Sequence, residues 1–366
     1  MSQSSNSRHK EYAVILALIT LPIVFFSQAT QSLLVMILIN LLSITAILYS
    51  AFSVVRHADI FAHRLGEPYG SLILSLSVVI LEVSLISALM ATGKAGPTLM
   101  RDTLYSIIMI VTCGLVGIAL LLGGRKFATQ YVNLAGIKQY LMAIFPLAMI
   151  VLVLPITLVD NTFSMLQMAV VALLSAGMYA VFLIIQTKTH QELFIYQHED
   201  EEHDSDGGHH GKPSSHSNLW HAIWLIVHLV SVIAITKVNA VPLEHLLERM
   251  NAPAQFTGFL VALLILSPEG LGALKAVVNN HVQRAMNIFF GSVLATISLT
   301  VPAVTLIALI TGQSLVFGLS LAKAVLLSTA LLLSIVSFGQ GRTNQLNGTA
   351  HLVVFIAYLM LLLTTG

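Results

Sequence analysis

The chain has 366 residues, 57% of them apolar and only 9% charged, with a formal net charge of +1 and a mean hydropathy of +0.89. Soluble domains carry roughly 25% charged residues, so these charges are too few to coat a water-facing surface, and the composition is that of a polytopic membrane protein. Scattered basic residues exclude a nucleic-acid footprint, and the single Cys113 excludes a disulfide framework. No phosphate-binding loop, dinucleotide fingerprint, HExxH or CxxCH is found, which favours a protein that moves a solute over one that transforms it.

In chain order, apolar blocks of bilayer-spanning length fall at Tyr12–Ser27, Ser32–Val55, Gly70–Ala91, Thr103–Gly123, Gln139–Val159 and Gln167–Gln186. After a polar stretch they resume at Leu219–Thr236, Thr257–Val278, Asn287–Ile310, Gly318–Phe338 and Ala350–Thr364. Arg8 and Lys10 before the first block, with Ser27-Gln28-Ala29 behind it, also fit a signal peptide, whose cleavage would leave the other spans as they are. The pattern predicts an all-α polytopic membrane protein of about 11 transmembrane helices. Residues 1–31 hold the N-terminus and an extra first helix, 32–186 a first five-helix repeat, 187–218 a linker, and 219–366 a second five-helix repeat.

Lys and Arg concentrate in cytoplasmic loops. With the N-terminus inside, twelve of them (Arg8, Lys10, Arg56, Arg64, Arg125, Lys126, Lys138, Lys188, Lys212, Lys275, Arg284 and Arg342) lie on the cytoplasmic side, against Lys94, Arg101, Lys237 and Arg249 outside. Lys323 falls within the tenth span, near enough its outer end to snorkel. The N-terminus is therefore expected in the cytoplasm and the C-terminus outside. The linker interleaves Glu199, Asp200, Glu201, Glu202, Asp204 and Asp206 with His198, His203, His209, His210 and His216. Its composition reads as a flexible tether, with metal concentration or pH sensing as the alternative.

Of sixteen acidic residues, nearly all fall in loops or at span ends, whereas Glu82 and Glu269 lie deep inside apolar spans. Each is the thirteenth residue of its span, and each span is the second of its five-helix set. Five spans per set invert the second set, so both carboxyls are expected near the bilayer midplane, as in inverted repeats that share a substrate site. A carboxylate at the centre of a bilayer costs roughly 2.5–3.5 kcal/mol on insertion scales, and such residues mark ion or proton paths. A protonated glutamate acting as a hydrogen bond between helices is the plainer alternative. Pro268 frees the carbonyl of Leu264, so Ser267-Pro268-Glu269-Gly270 is expected to break the helix and offer oxygen to a cation. Ser75, Ser77 and Ser84 add hydroxyls around Glu82, and Ser106 and Ser292 follow on the next helix of each repeat. Desolvated carboxyls hold protons near neutral pH and release them to a cation. A site that takes one or the other and faces each side in turn is an antiporter.

These residues resemble the cation/proton exchanger branch of the calcium/cation antiporter superfamily, and within it the sodium(calcium)/proton antiporters of enteric bacteria. The similarity lies in the stretch from Arg64-Leu65-Gly66-Glu67-Pro68-Tyr69-Gly70-Ser71-Leu72 to Glu82, and in Asn287-Ile288-Phe289-Phe290-Gly291-Ser292-Val293-Leu294 to Pro302. The resemblance implies an extra first span, inverted five-span sets, an acidic segment between them, and a bacterial inner-membrane exchanger of Ca2+, Na+ or K+ against H+. Glu82 and Glu269 would then be its cation ligands, with no further cofactor, and its partners would be inorganic cations, protons and lipid. One departure is plain: the family's G-N-x-x-E motif has Val78 and Val79 before Glu82, and Ile265 and Leu266 before Glu269. The asparagine oxygens are missing, and Ca2+ takes about 6–8 oxygen ligands.

Glu67, with His57 and His63 near it, suggests a gate or pH-sensing group at the cytoplasmic end of the third span, or simply a charged interfacial loop. His228, inside the seventh span, reads as a neutral imidazole bonded to a neighbouring helix or as a proton relay. The rival classes are an intramembrane enzyme built on a carboxylate pair and a passive cation channel.

Overall fold

A computed structural model describes residues 11–27, 30, 32–65, 69–90, 96–194, 216–253, 255–339 and 341–364, with the side chains of residues 59, 61–63, 65 and 69–75 left aside. Eleven helices lie among the described residues: α1 Tyr12–Phe26, α2 Leu33–Leu65, α3 Tyr69–Met90, α4 Leu99–Phe127, α5 Leu134–Thr157, α6 Met165–Thr189, α7 Asn218–Arg249, α8 Gln255–Val278, α9 Val282–Thr311, α10 Leu321–Ser337 and α11 Gln345–Thr364. Eight are long and apolar enough to cross a bilayer. Their bounds follow the expected spans to within a turn or two, except that α2 runs on past Val55 and α7 past Thr236. Those extensions are polar. Arg64 donates to Asn218 Oδ1 at 2.6 Å and to the His216 carbonyl at 2.8 Å, and Asn239 donates to Asn40 Oδ1 at 3.2 Å. Hydropathy ends a span where apolar residues stop, but these polar groups have partners and the helices continue.

The helices gather into two compact units, each drawing on both halves of the chain. In the first, α1 and α3 pack with the long α2 and α7. In the second, α8 packs on α4 and α9, α11 on α4 and α10, and α9 on α5 and α6. Side-chain caps set several starts: Asn133 Oδ1 accepts from the amides of Ala135 and Gly136 at α5, Ser164 and Gln167 form a reciprocal capping box at α6, and Ser217 accepts from Trp220 N at α7. The outward faces carry Leu18, Leu34, Leu166, Leu173 and Leu346, all widely exposed, the kind of surface a bilayer covers.

Inside the second unit α4 and α11 approach closely through glycine. A Cβ on Gly348 would lie 2.5 Å from Leu121 N and 2.8 Å from Gly117 O, so the backbones touch where small residues allow it. Gly348→Ala is therefore expected to lower stability by about 1–3 kcal/mol. In Gly177→Ala the new methyl meets nothing within 4 Å, and the same substitution is expected to raise stability by up to about 1 kcal/mol through helix propensity. Thermal unfolding of the two variants in detergent should move the midpoint in opposite directions.

Candidate functional site

Glu269 sits on α8, which runs unbroken through Pro268. The expected break at Ser267-Pro268-Glu269-Gly270 is absent. The proline removes only one amide, which a membrane helix packed among neighbours tolerates, and Gly270 next to it lies close against Leu115. Ser267 Oγ is not left for a ligand either, because it donates to the Leu263 carbonyl at 2.5 Å, one turn back in its own helix. Ser292, on α9, does face the Glu269 carboxyl. Glu269 Oε2 and Ser292 Oγ are both buried without a well-formed hydrogen bond among the described residues. Beyond Ser292 the helix widens into a π segment, Thr296–Thr300, where the hydroxyls of Ser298 and Thr300 are again buried and unpartnered. A matching π segment, Ile110–Leu115, lies within α4, so the third helix of each expected repeat is widened mid-way. Such widenings are frequent at functional sites. A carboxyl oxygen and a facing hydroxyl, both buried, are the kind of oxygen donors that suit a hard cation or a proton.

Glu82, in the other unit, is wholly buried on α3 among Val78, Val79, Leu81, Leu85 and Ile86. Ser77 is buried and Ser84 half-buried on the same helix. The side chains of Ser75 and His63, and the whole of Glu67, lie outside the described residues. Ser106, on α4, is committed elsewhere: it donates to the Asp102 carbonyl at 2.7 Å and accepts from Tyr358 Oη at 2.8 Å.

Two charged clusters escaped sequence reasoning. In the first unit Glu11, just ahead of α1, accepts from Arg56 Nη2 at 2.9 Å and bonds His228 Nε2 at 2.6 Å, with His57 Nε2 at 3.5 Å. Burial by itself would raise the Glu11 carboxyl, but the bond to His228 and the Arg56 charge more than offset it, holding the group well below the usual carboxylate range. The partner of His228 is a carboxylate just ahead of the first helix. In the second unit Lys323 does not snorkel. It is buried, with Nζ 3.2 Å from Asp102 Oδ1, while Arg101 reaches the same carboxylate at 2.9 Å and the Gly318 carbonyl at 2.9 Å. Asp102, Lys323, Tyr105, Ser106, Gln255 and Tyr358 line a small cavity there. The sequence signal was the lysine inside an apolar run, whose nearest carboxylate is 221 positions away.

The chain has counterparts among known proteins. A family model described as sodium/calcium exchanger protein matches residues 35–188 and 220–364. The chain belongs to that exchanger family. It is 68% identical over 358 residues to the sodium-potassium/proton antiporter ChaA of Escherichia coli K12, covering 98% of each chain. It is 33% identical over 316 residues to the putative ionic transporter y4hA of Sinorhizobium fredii, covering 85% of each. Two solved folds align along nearly the whole exchanger at 15% identity. Native YfkE has a TM-score of 0.74 and covers 96% of this chain and 99% of its own; the H+/Ca2+ exchanger CAX has a TM-score of 0.70 and covers 97% and 89%. The expected all-helical exchanger fold is borne out, and the exchanger is a transporter, not an intramembrane enzyme.

Proposed function

We propose that this exchanger is a secondary active antiporter of the bacterial inner membrane, moving cytoplasmic Na+, K+ or Ca2+ outward against protons by alternating access. Glu82 and Glu269 are its cation- and proton-carrying groups, and Ser292 adds an oxygen beside Glu269. The reading rests above all on the buried Glu269 Oε2, unpartnered among the described residues and faced by an equally unpartnered hydroxyl. Such an atom is costly unless something binds it. A proton and a cation in turn serve that need.

Ion preference follows from the oxygen count. Val79 and Leu266 stand where the family motif has asparagine, so two side-chain oxygens are lost from a shell that Ca2+ fills with about 6–8 ligands. Na+ and K+ are therefore the favoured substrates, in keeping with the name of the 68% identical relative. The cytoplasmic N-terminus and periplasmic C-terminus keep their support from the distribution of Lys and Arg.

Everted vesicles with an acid interior and a pH-sensitive dye test the proposal. Addition of Na+ or K+ should restore the dye signal at lower concentration than Ca2+ does. Cation uptake without opposite proton movement would identify a passive channel instead. If no cation moves protons, the antiport reading fails.

A further inference from the structure

Glu11, His57 and His228 each offer one ligand atom, and the three atoms lie within 4.8 Å of one another. The cluster joins the start of α1 to α2 and α7 within one unit, and no transport role has been given to it. Two imidazoles and a carboxylate are a donor set for Zn2+ and similar borderline divalent ions, unlike the carboxyl and hydroxyl oxygens of Glu269 and Ser292. Zn2+ holds such atoms at about 2.0–2.2 Å, hence about 3.4 Å apart in a tetrahedron. His57 Nε2 and Glu11 Oε1 are 3.5 Å apart, and His228 Nε2 and Glu11 Oε2 are 2.6 Å apart.

The hydrogen bonds orient the set. Arg56 Nη2 lies 3.2 Å from His57 Nε2, and a guanidinium only donates, so that nitrogen presents a lone pair. The His57 proton is then on Nδ1, which meets His221 Nδ1 at 2.9 Å. A ligating histidine held through its other nitrogen is the usual way a metal site fixes its imidazole. Both histidines are buried, at 1% and 0% exposure. Arg56 currently supplies the positive charge: its Nη2 lies 2.9 Å from Glu11 Oε1 and 3.2 Å from His57 Nε2, and its side chain is 29% exposed.

We propose that Glu11, His57 and His228 form a second cation site, specific for Zn2+-class ions, in which the metal replaces the Arg56 guanidinium. His221 is its positioning residue. Binding takes His228 through Nε2, whose proton moves to Nδ1, and cross-links α1, α2 and α7.

Full-length protein in detergent, stripped of metal by a chelator, is titrated with Co2+ while its visible absorption is followed, and Zn2+ is then added to displace it. The histidines of residues 187–218 are further imidazole donors for Co2+, so the site is the component that Glu11→Gln and His228→Ala both remove. One such Co2+ per chain is expected. His221→Ala should weaken it about tenfold. Arg56→Gln should tighten it, a gain that misfolding cannot produce. Glu82→Gln and Glu269→Gln should leave it intact. Identical titrations of wild type, Glu11→Gln and His228→Ala would overturn the proposal, as would weaker binding in Arg56→Gln. Loss of the component in the Glu82 or Glu269 variant would assign the metal to the transport groups instead.

Discussion

Vesicles carrying Glu269→Gln are expected to show no cation-driven proton release, giving the dye trace of vesicles that lack the protein. Glutamine keeps the shape that α8 packs around, so its effect is chemical: the amide cannot exchange a proton or carry the charge that binds a cation. Glu82→Gln should behave in the same way, since a coupled cycle stops when either carrier is lost. Ser292→Ala should give a different result. Its hydroxyl is neutral and adds one oxygen, so the expected change is about a tenfold rise in the cation concentration needed for half-maximal release, with coupling retained. Hydrogen bonds to charged groups are worth about 1.5–3 kcal/mol, which sets that scale. If Glu269→Gln still exchanged protons, the carboxyl would be only a link between helices, and the proton would travel by another path. If Ser292→Ala abolished exchange altogether, the serine would be more than a ligand.

Spans and glutamates were legible because hydropathy and buried charge are local properties of a sequence. A run of apolar residues announces α4 or α9 whatever packs beside it, and a carboxyl thirteen residues into such a run is conspicuous. Pairings are not local. The partner of Lys323 lies on α4, and the carboxylate that engages His228 lies ahead of α1. Nothing in the spacing of Asp102 or Glu11 distinguishes them from the interfacial acids among which they were counted. The extra length of α2 and α7 was hidden for the same reason, because Arg64 and Asn239 look like loop residues until Asn218 and Asn40 supply their hydrogen bonds. The reading of Pro268 erred in the opposite direction. A proline inside a span suggests a break, but α8 runs through it, since the loss of one amide is tolerated among packed neighbours.

Asp102→Asn is expected to be the most destabilising single substitution in the second unit, by about 3–5 kcal/mol, the cost of leaving buried charge without its counter-ion. The aspartate serves two cations, Arg101 at 2.9 Å and Lys323 at 3.2 Å, so the amide strands both. Lys323→Met should cost less. It removes one cation, Arg101 still neutralises the carboxylate, and the methionine fills the space left by the lysine stem. The double variant Asp102→Asn with Lys323→Met should lie well above the sum of the two single losses, because no buried lysine then remains unpaired. Arg101 keeps its bond to the Gly318 carbonyl and some contact with solvent, its side chain being 15% exposed. Thermal unfolding of the four proteins in one detergent gives the double-mutant cycle. Strict additivity would mean that the two groups do not interact. A double variant more stable than the sum of the singles would show that the two groups pair, and one more stable than wild type would show that the pair holds α4 to α10 at an energetic cost uncharged side chains avoid. That cost is tolerable if the pair fixes one register between these helices, and α4 is the helix that carries both Ser106 and the π segment.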